Sequence, residues 1–221
     1  ATNTAVGSIS LDANTTGTYG VAIGYSALGS NTTADGNTAV GYNSFGANTT
    51  GTSNVGLGMS AGSANTTGIQ NVAVGQGSLA ANTTAANNTA IGREALNDNT
   101  TGAGNTAVGR GALAANTTAA NNTAVGLSAL VANTTGAENV AVGSNALDAN
   151  TTGPRNVAVG YNSLTANTEG QENVGVGQNS LAAVSSGDSN VGIGNAAGYA
   201  ITTGNNVIAV GKDAGRTGSP G

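Results

Sequence analysis

The chain has 221 residues and a net charge of −5 from ten acidic and five basic side chains, with 37 glycines and no Cys, His or Trp. Without cysteine there are no disulfides or thiolate metal sites, and so sparse and mildly acidic a charge set argues against nucleic acid as a partner. Val, Ile, Leu and Phe together number 38, too few for a thick core, so composition alone would admit a disordered chain and the order of the residues must decide.

The first candidate element is Thr4-Ala5-Val6, closed by Gly7; the same phrase returns as Val21-Ala22-Ile23-Gly24 and Thr38-Ala39-Val40-Gly41, and so on to Ile208-Ala209-Val210-Gly211. Gly stands at 7, 24, 41, 58, 75, 92, 109, 126, 143, 160, 177, 194 and 211, always seventeen apart and always after Val, Ile or Leu. Numbered from Asn3 as position 1, the repeat reads N-T/V-A-V-G-x-x-A/S-L-x-A-N-T-T-G/A-x-x. Strict periodicity excludes disorder, and Gly or Asn recurs too often for helices of useful length. Positions 2–4 predict a short strand and the A-L-x-A-N-T stretch, positions 8–13, a second one; Asn and Gly supply the corners. The expected fold is all-β, a parallel β-solenoid of thirteen 17-residue coils whose strands stack about 4.8 Å apart. The chain is expected to be a single domain, 1–221, without separate caps or linker, and a segment of a longer fibre, since it lacks an initiator Met and a signal peptide.

Position 4 is always aliphatic, and position 9 is Leu or Phe in ten coils, from Leu11 and Leu28 to Leu181. Both are expected to face inward, and position 2 joins position 4 by strand alternation. Positions 6, 7, 10, 16 and 17 vary freely and read as solvent. Position 3 is only Ala or Gly. If it faces outward, the column Ala22, Ala39, Ala73, Ala90, Ala107, Ala124, Ala141 and Ala158 suggests close approach by another chain, as in a homotrimer. If it faces inward, the coil is simply narrow there. The Asn columns at position 1 and at position 12 (Asn14, Asn31, Asn48, Asn65, Asn82, Asn99, Asn116, Asn133 and Asn150) are expected to form stacked amide ladders. Gly62, Gly198 and Gly215 replace Leu at position 9, which predicts weaker packing and faster hydrogen exchange there.

The triplet Asn-Thr-Thr that runs from Asn14 to Thr152 admits four readings: a corner that satisfies its own backbone, N-glycosylation sequons (joined by Asn87-Asn88-Thr89 and Asn121-Asn122-Thr123), an ice-binding threonine array, or a carbohydrate contact. Tyr25 and Tyr42 share position 6 in successive coils and are expected to stack outward, with Tyr161 alone at that position; such rings offer a surface contact for sugars or are plain surface residues. No carboxylate pair recurs from coil to coil. Glu94, Asp98, Glu169 and Glu172 read as solvated charges, and the glycine-rich stretches lack the helix and Lys that hold phosphate. The chain is therefore read as no enzyme, with no cofactor and no metal.

The pentads N-T-A-V-G, N-V-A-V-G and N-V-G-I-G resemble the N-S-V-A-I-G-type signature of trimeric autotransporter adhesin heads of the YadA type. The longer phrase is similar to repeats of phage and bacterial tail-fibre-like proteins, which often carry a C-terminal self-cleaving chaperone domain. The resemblance implies a left-handed parallel β-roll, commonly assembled as a trimer in a surface or virion fibre. The seventeen-residue period departs from the shorter adhesin-head spacing, and no stalk, anchor or chaperone segment is present. The functional expectation is a structural fibre, an adhesin shaft or head segment, extracellular on a cell-surface appendage or virion. It would self-associate as a homotrimer or end-to-end filament and present a surface to glycans or a cell-surface receptor, without membrane insertion. An ice-binding solenoid that uses its threonine ladder and a passive rigid spacer are the alternatives.

Overall fold

A computed structural model describes residues 2–215. They contain no helix, and one three-residue strand recurs per coil. The fold is the all-β parallel β-solenoid that the period predicts. It comprises two compact bodies, Ala1–Gly111 and Ala112–Gly221. The first holds β1 (Thr4–Val6), β2 (Val21–Ile23), β3 (Thr38–Val40), β4 (Val55–Leu57), β5 (Val72–Val74), β6 (Thr89–Ile91) and β7 (Thr106–Val108). The second holds β8 (Thr123–Val125), β9 (Val140–Val142), β10 (Val157–Val159), β11 (Val174–Val176), β12 (Val191–Ile193) and β13 (Ile208–Val210). Within each body the strands pair in chain order, all parallel, and in register to the residue, as in Val157↔Val174 and Ala158↔Gly175.

Only one strand forms per coil because the stretch after the glycine cannot be extended. Leu at position 9 is left-handed in every coil that has it, with φ from 49° at Leu28 to 54° at Leu130, and position 7 is left-handed too, as at Asn43 (φ 52°) and Ser128 (φ 54°). A non-glycine residue in this region costs about 1–2 kcal/mol. Here each is held by hydrogen bonds that run from coil to coil: Leu28 N–H donates to Ser44 C=O at 3.1 Å, and Asn43 N–H donates to Tyr25 C=O at 2.9 Å. The predicted second strand is therefore a pair of turns whose backbone still bonds to the neighbouring coils. Gly at position 5 lies between φ 115° (Gly211) and 139° (Gly126). A Cβ on Gly24 would also stand 2.5 Å from the carbonyl oxygen of Gly41 in the next coil. The positive φ favours glycine at all thirteen places, and the close approach of the next coil adds a steric bar at Gly24 and its counterparts, though not at Gly211.

The inward and outward assignment of the strand differs from the sequence expectation. Ala22, Ala39, Ala73, Ala90, Ala107, Ala124, Ala141 and Ala158 at position 3 are 0 % exposed. The aliphatic residues at position 4 lie outside: Ile23 is 38 % exposed and Leu57 50 %. Alternation holds, with its phase reversed. Position 3 must be small because the opposite wall is close: a Cβ on Gly56 would meet Ser44 Oγ at 2.4 Å and Phe45 Cδ2 at 2.6 Å. The narrow-coil reading is the correct one, and the alanine column is core rather than a chain interface.

The interior of a coil is thus built from Ala at position 3, Ala or Ser at position 8, Leu at position 9 and buried Asn at positions 1 and 12. The expectation of weak packing at the leucine gaps is also corrected where neighbours fill them. The ring of Phe45 lies where a Gly62 side chain would be, 2.5 Å from the ideal Cβ. Leu181 Cδ2 (2.5 Å) and Ile201 Cδ1 (3.0 Å) occupy the same space beside Gly198.

Candidate functional site

Two asparagine columns close the coil from within. At position 12, Asn48 Nδ2 donates to Asn31 Oδ1 of the preceding coil at 3.0 Å and to Gly51 C=O of its own coil at 2.9 Å. Asn65 and Asn82 repeat the pattern at 2.8 and 2.7 Å, as do Asn133 and Asn150 in the second body at 3.0 and 2.9 Å. Asn14 begins this amide ladder at the half-buried end, accepting from Asn31 Nδ2 at 3.0 Å. Asn99 Nδ2 donates to Asn82 Oδ1 at 3.1 Å, and Asn116 Nδ2 donates to Ala119 C=O at 3.0 Å. The second column, at position 1, was also expected from the recurrence of Asn there. Asn37 Nδ2 donates to the same Gly51 C=O at 2.8 Å, while Asn37 Oδ1 accepts from Asn54 N–H at 2.8 Å. One carbonyl per coil therefore receives two amides, tying the start of the coil to its end. The ladder stops where Val184 and Ile201 take over position 12, and Asn167 Oδ1 is left buried without a partner.

The threonine corner satisfies its own backbone. Thr49 Oγ1 donates to Thr66 C=O at 3.0 Å, and that carbonyl also accepts the N–H groups of Thr49 at 2.9 Å and Thr50 at 3.3 Å. The hydroxyls of position 13 are thereby committed to the fold, and position 14 (Thr50, Thr67, Thr135) is the exposed column. Of the sequon asparagines, Asn31, Asn48, Asn65, Asn82, Asn99, Asn116, Asn133 and Asn150 are buried at 0–2 %. Asn87 and Asn121, at the exposed position 17, face solvent.

Tyr25 and Tyr42 stack as expected, with ring centroids 5.5 Å apart and planes at 10°. Stacking covers one face of each ring, and Tyr25 and Tyr42 remain 51 % and 56 % exposed. Tyr161 is 51 % exposed. Glu94 pairs with Arg93 at 2.8 Å and Glu172 with Arg155 of the preceding coil at 2.9 Å, all well exposed. On the outer corner Asp35 Oδ1 accepts from the N–H and the hydroxyl of Thr18 at 2.7 and 2.8 Å, which holds its carboxyl below the usual carboxylate range. The same device recurs at Asp188, which accepts from Gln171 N–H at 3.0 Å. Among the described residues no pocket opens on the surface and no three His, Cys, Asp or Glu side chains gather as metal ligands.

What remains is the outward strand face. Positions 2 and 4 carry fourteen side chains in the first body, all β-branched except Leu57, and twelve in the second, all β-branched. None is charged. Comparison with protein-family models, with curated proteins and with solved structures finds no match. The chain is a parallel β-solenoid repeat protein, defined by its register and its asparagine columns.

Proposed function

We propose that the chain is a structural segment of an extracellular fibre or adhesin, carried on a cell-surface appendage or a virion, whose work is to extend and to present a surface. The observation that supports this reading is the construction itself. Almost all internal chemistry is directed at binding one coil to the next, and none at a reacting group. The amide ladder and the threonine corner bond across seventeen residues, and the backbone of the turns likewise bonds to the neighbouring coils. Such a stack is a nearest-neighbour structure that gains stability with every rung. Self-association belongs to the same reading. It cannot use the alanine column, which lies inside the coils, so it would use an outward face.

The test is the mass of the purified chain in solution by light scattering, together with binding to arrayed glycans. Three times the 20.8 kDa chain mass, or a broad distribution of much larger masses, supports a fibre component. A monomer that binds no glycan removes the adhesin reading and leaves the single-rod readings, an ice-binding solenoid or a passive spacer.

A further inference from the structure

The outward strand face poses a problem that the fold does not answer. Positions 6 and 17, which flank it, hold Tyr, Met, Gln, Arg, Glu and Ser in different coils. Positions 2 and 4 hold only Thr, Val, Ile and a single Leu. Strand propensity would accept Tyr, Phe or Trp there as readily, and cross-strand stabilisation would accept opposite charges. Burial does not impose the choice either, since Val142 and Val159 are each 36 % exposed and Ile193 43 %. A constraint from outside the chain does account for it.

We infer that this face binds ice, through a layer of water ordered by its methyl and hydroxyl array. Three properties carry the inference. The face is a lattice: in-register parallel strands place equivalent side chains about 4.8 Å apart along the stack, and two residues along each strand separate the columns by about 6.6 Å. It is rigid, because β-branched side chains have little freedom at χ1, so ordering water over it costs little side-chain entropy. It is also uncharged, so no tightly hydrated ion disturbs the water layer above it.

Position 2 distinguishes ice from a second copy of the chain as the occupant. Thr and Val alternate there without pattern: Thr38 pairs with Val55, and Val72 with Thr89. In a dry protein interface a hydroxyl in place of a methyl is penalised unless it finds a partner. At a surface that keeps its water the exchange is nearly neutral. Among the described residues the hydroxyls of Thr38 and Thr89 make no hydrogen bond within the chain, whereas those of the Asn-Thr-Thr corner are bonded to the backbone, as at Thr32 (3.1 Å to Thr49 C=O). An ice-binding role therefore falls on the strand face and not on the threonine corner, where sequence had placed it. The inference rests on the reading of the chain as a surface-presenting solenoid and names what that surface holds.

The experiment is thermal hysteresis of the purified full chain by nanolitre osmometry, with light scattering on the same sample. The unaltered chain is expected to shape ice crystals and to show hysteresis. Val142→Tyr with Val159→Tyr, on the outward face of one body, should reduce it severalfold with the β-sheet circular dichroism unchanged. Val142→Thr with Val159→Thr keeps the array and should retain it. Thr135→Tyr with Thr152→Tyr, on the corner, should also retain it. Absence of hysteresis in the unaltered chain overturns the inference, as does equal loss in the corner variant. A discrete oligomer that the Val→Tyr pair dissociates also overturns it, because the face is then covered by a second copy; the fibre reading survives that outcome.

Discussion

The hydroxyl of Ser163 donates to the carbonyl of Gly175 at 2.9 Å, and Gly175 has no Cβ to obstruct it. The relationship recurs at Ser180 and Gly192, at 2.8 Å. Where position 3 is Ala, as at Ala90, the serine of the preceding coil turns away, and Ser78 Oγ donates to Gly75 C=O at 2.9 Å instead. A Cβ on Gly175 would stand 2.6 Å from Ser163 Oγ. Gly175→Ala alone should therefore cost about 1 kcal/mol, because Ser163 must leave the Gly175 carbonyl and turn toward its own coil as Ser78 does. Ser163→Ala alone should cost about 1 kcal/mol. The double variant recreates the Ala129–Ala141 combination found in the same body and should lie close to the parent. Denaturant midpoints for the four proteins give the coupling energy directly; additive losses would rule the pairing out.

The amide ladder predicts an uneven cost. Asn65→Ala removes the donor to Asn48 Oδ1 and to Gly68 C=O and the acceptor of Asn82 Nδ2. Gly68 C=O keeps Asn54 Nδ2 as a second donor. Asn48 Oδ1 then lacks a partner while Asn82 Nδ2 keeps only Ala85 C=O, and a loss of about 1–3 kcal/mol is expected. Truncating Thr67 to Ala in the same coil, on the exposed corner, should change stability by less than about 0.5 kcal/mol. Chemical denaturation of the two variants side by side measures the contrast.

Acidity should act at one corner in particular. The carboxyl of Asp35 is held below its ordinary value, first by the backbone N–H of Thr18 and then by its hydroxyl. A lowered folded-state value means that the group contributes stability above the ordinary Asp range and loses it as the pH falls through the folded value. Asp35→Ala should therefore lower the melting temperature at neutral pH and lose that effect once the pH has fallen below the folded value, where both states are protonated. A difference that persists in acid would assign the effect to packing.

Glycosylation follows burial. If the folded chain is offered to an N-glycosylating enzyme, peptide mapping should find glycan at Asn87 and Asn121 and none on the ladder asparagines, whose amides are buried and bonded. Expression through a glycosylating secretory route, where sequons are met before folding, should lower the yield of folded chain. Thr→Ala changes at position 14, which remove the ladder sequons, should restore it.

The period, the parallel stack and the amide ladder were legible in the sequence because each is enforced in every copy. The facing of the strand was not. Val at position 4 looks like core and Ala at position 3 like surface under any hydrophobicity ranking, and only the width of the coil reverses them. The turns were missed for a related reason: Leu at φ near 50° contradicts its propensity, and the hydrogen bonds that hold Leu28 and Leu130 there come from neighbouring coils. Phe45 shows what pattern reading loses locally. Gly62 looked like a defect one coil on, although the only Phe in the chain stands at the same position directly before it. The serine–glycine pairs at 163/175 and 180/192 were visible as a spacing of twelve and needed the structure to acquire a cause; Ser44, spaced the same way from Gly56, makes no such bond.

Because the ladder bonds join a residue to its counterpart seventeen places away, the chain has a natural unit of heritable change. Loss or duplication of one whole repeat by unequal recombination would rejoin an asparagine to an asparagine and a glycine to a glycine, and these columns would be re-formed by a new pair of neighbours. A single inserted residue would instead misalign all of these columns at once. Rung number is therefore a quantity that selection can adjust freely between related genes, while the seventeen-residue period itself is locked.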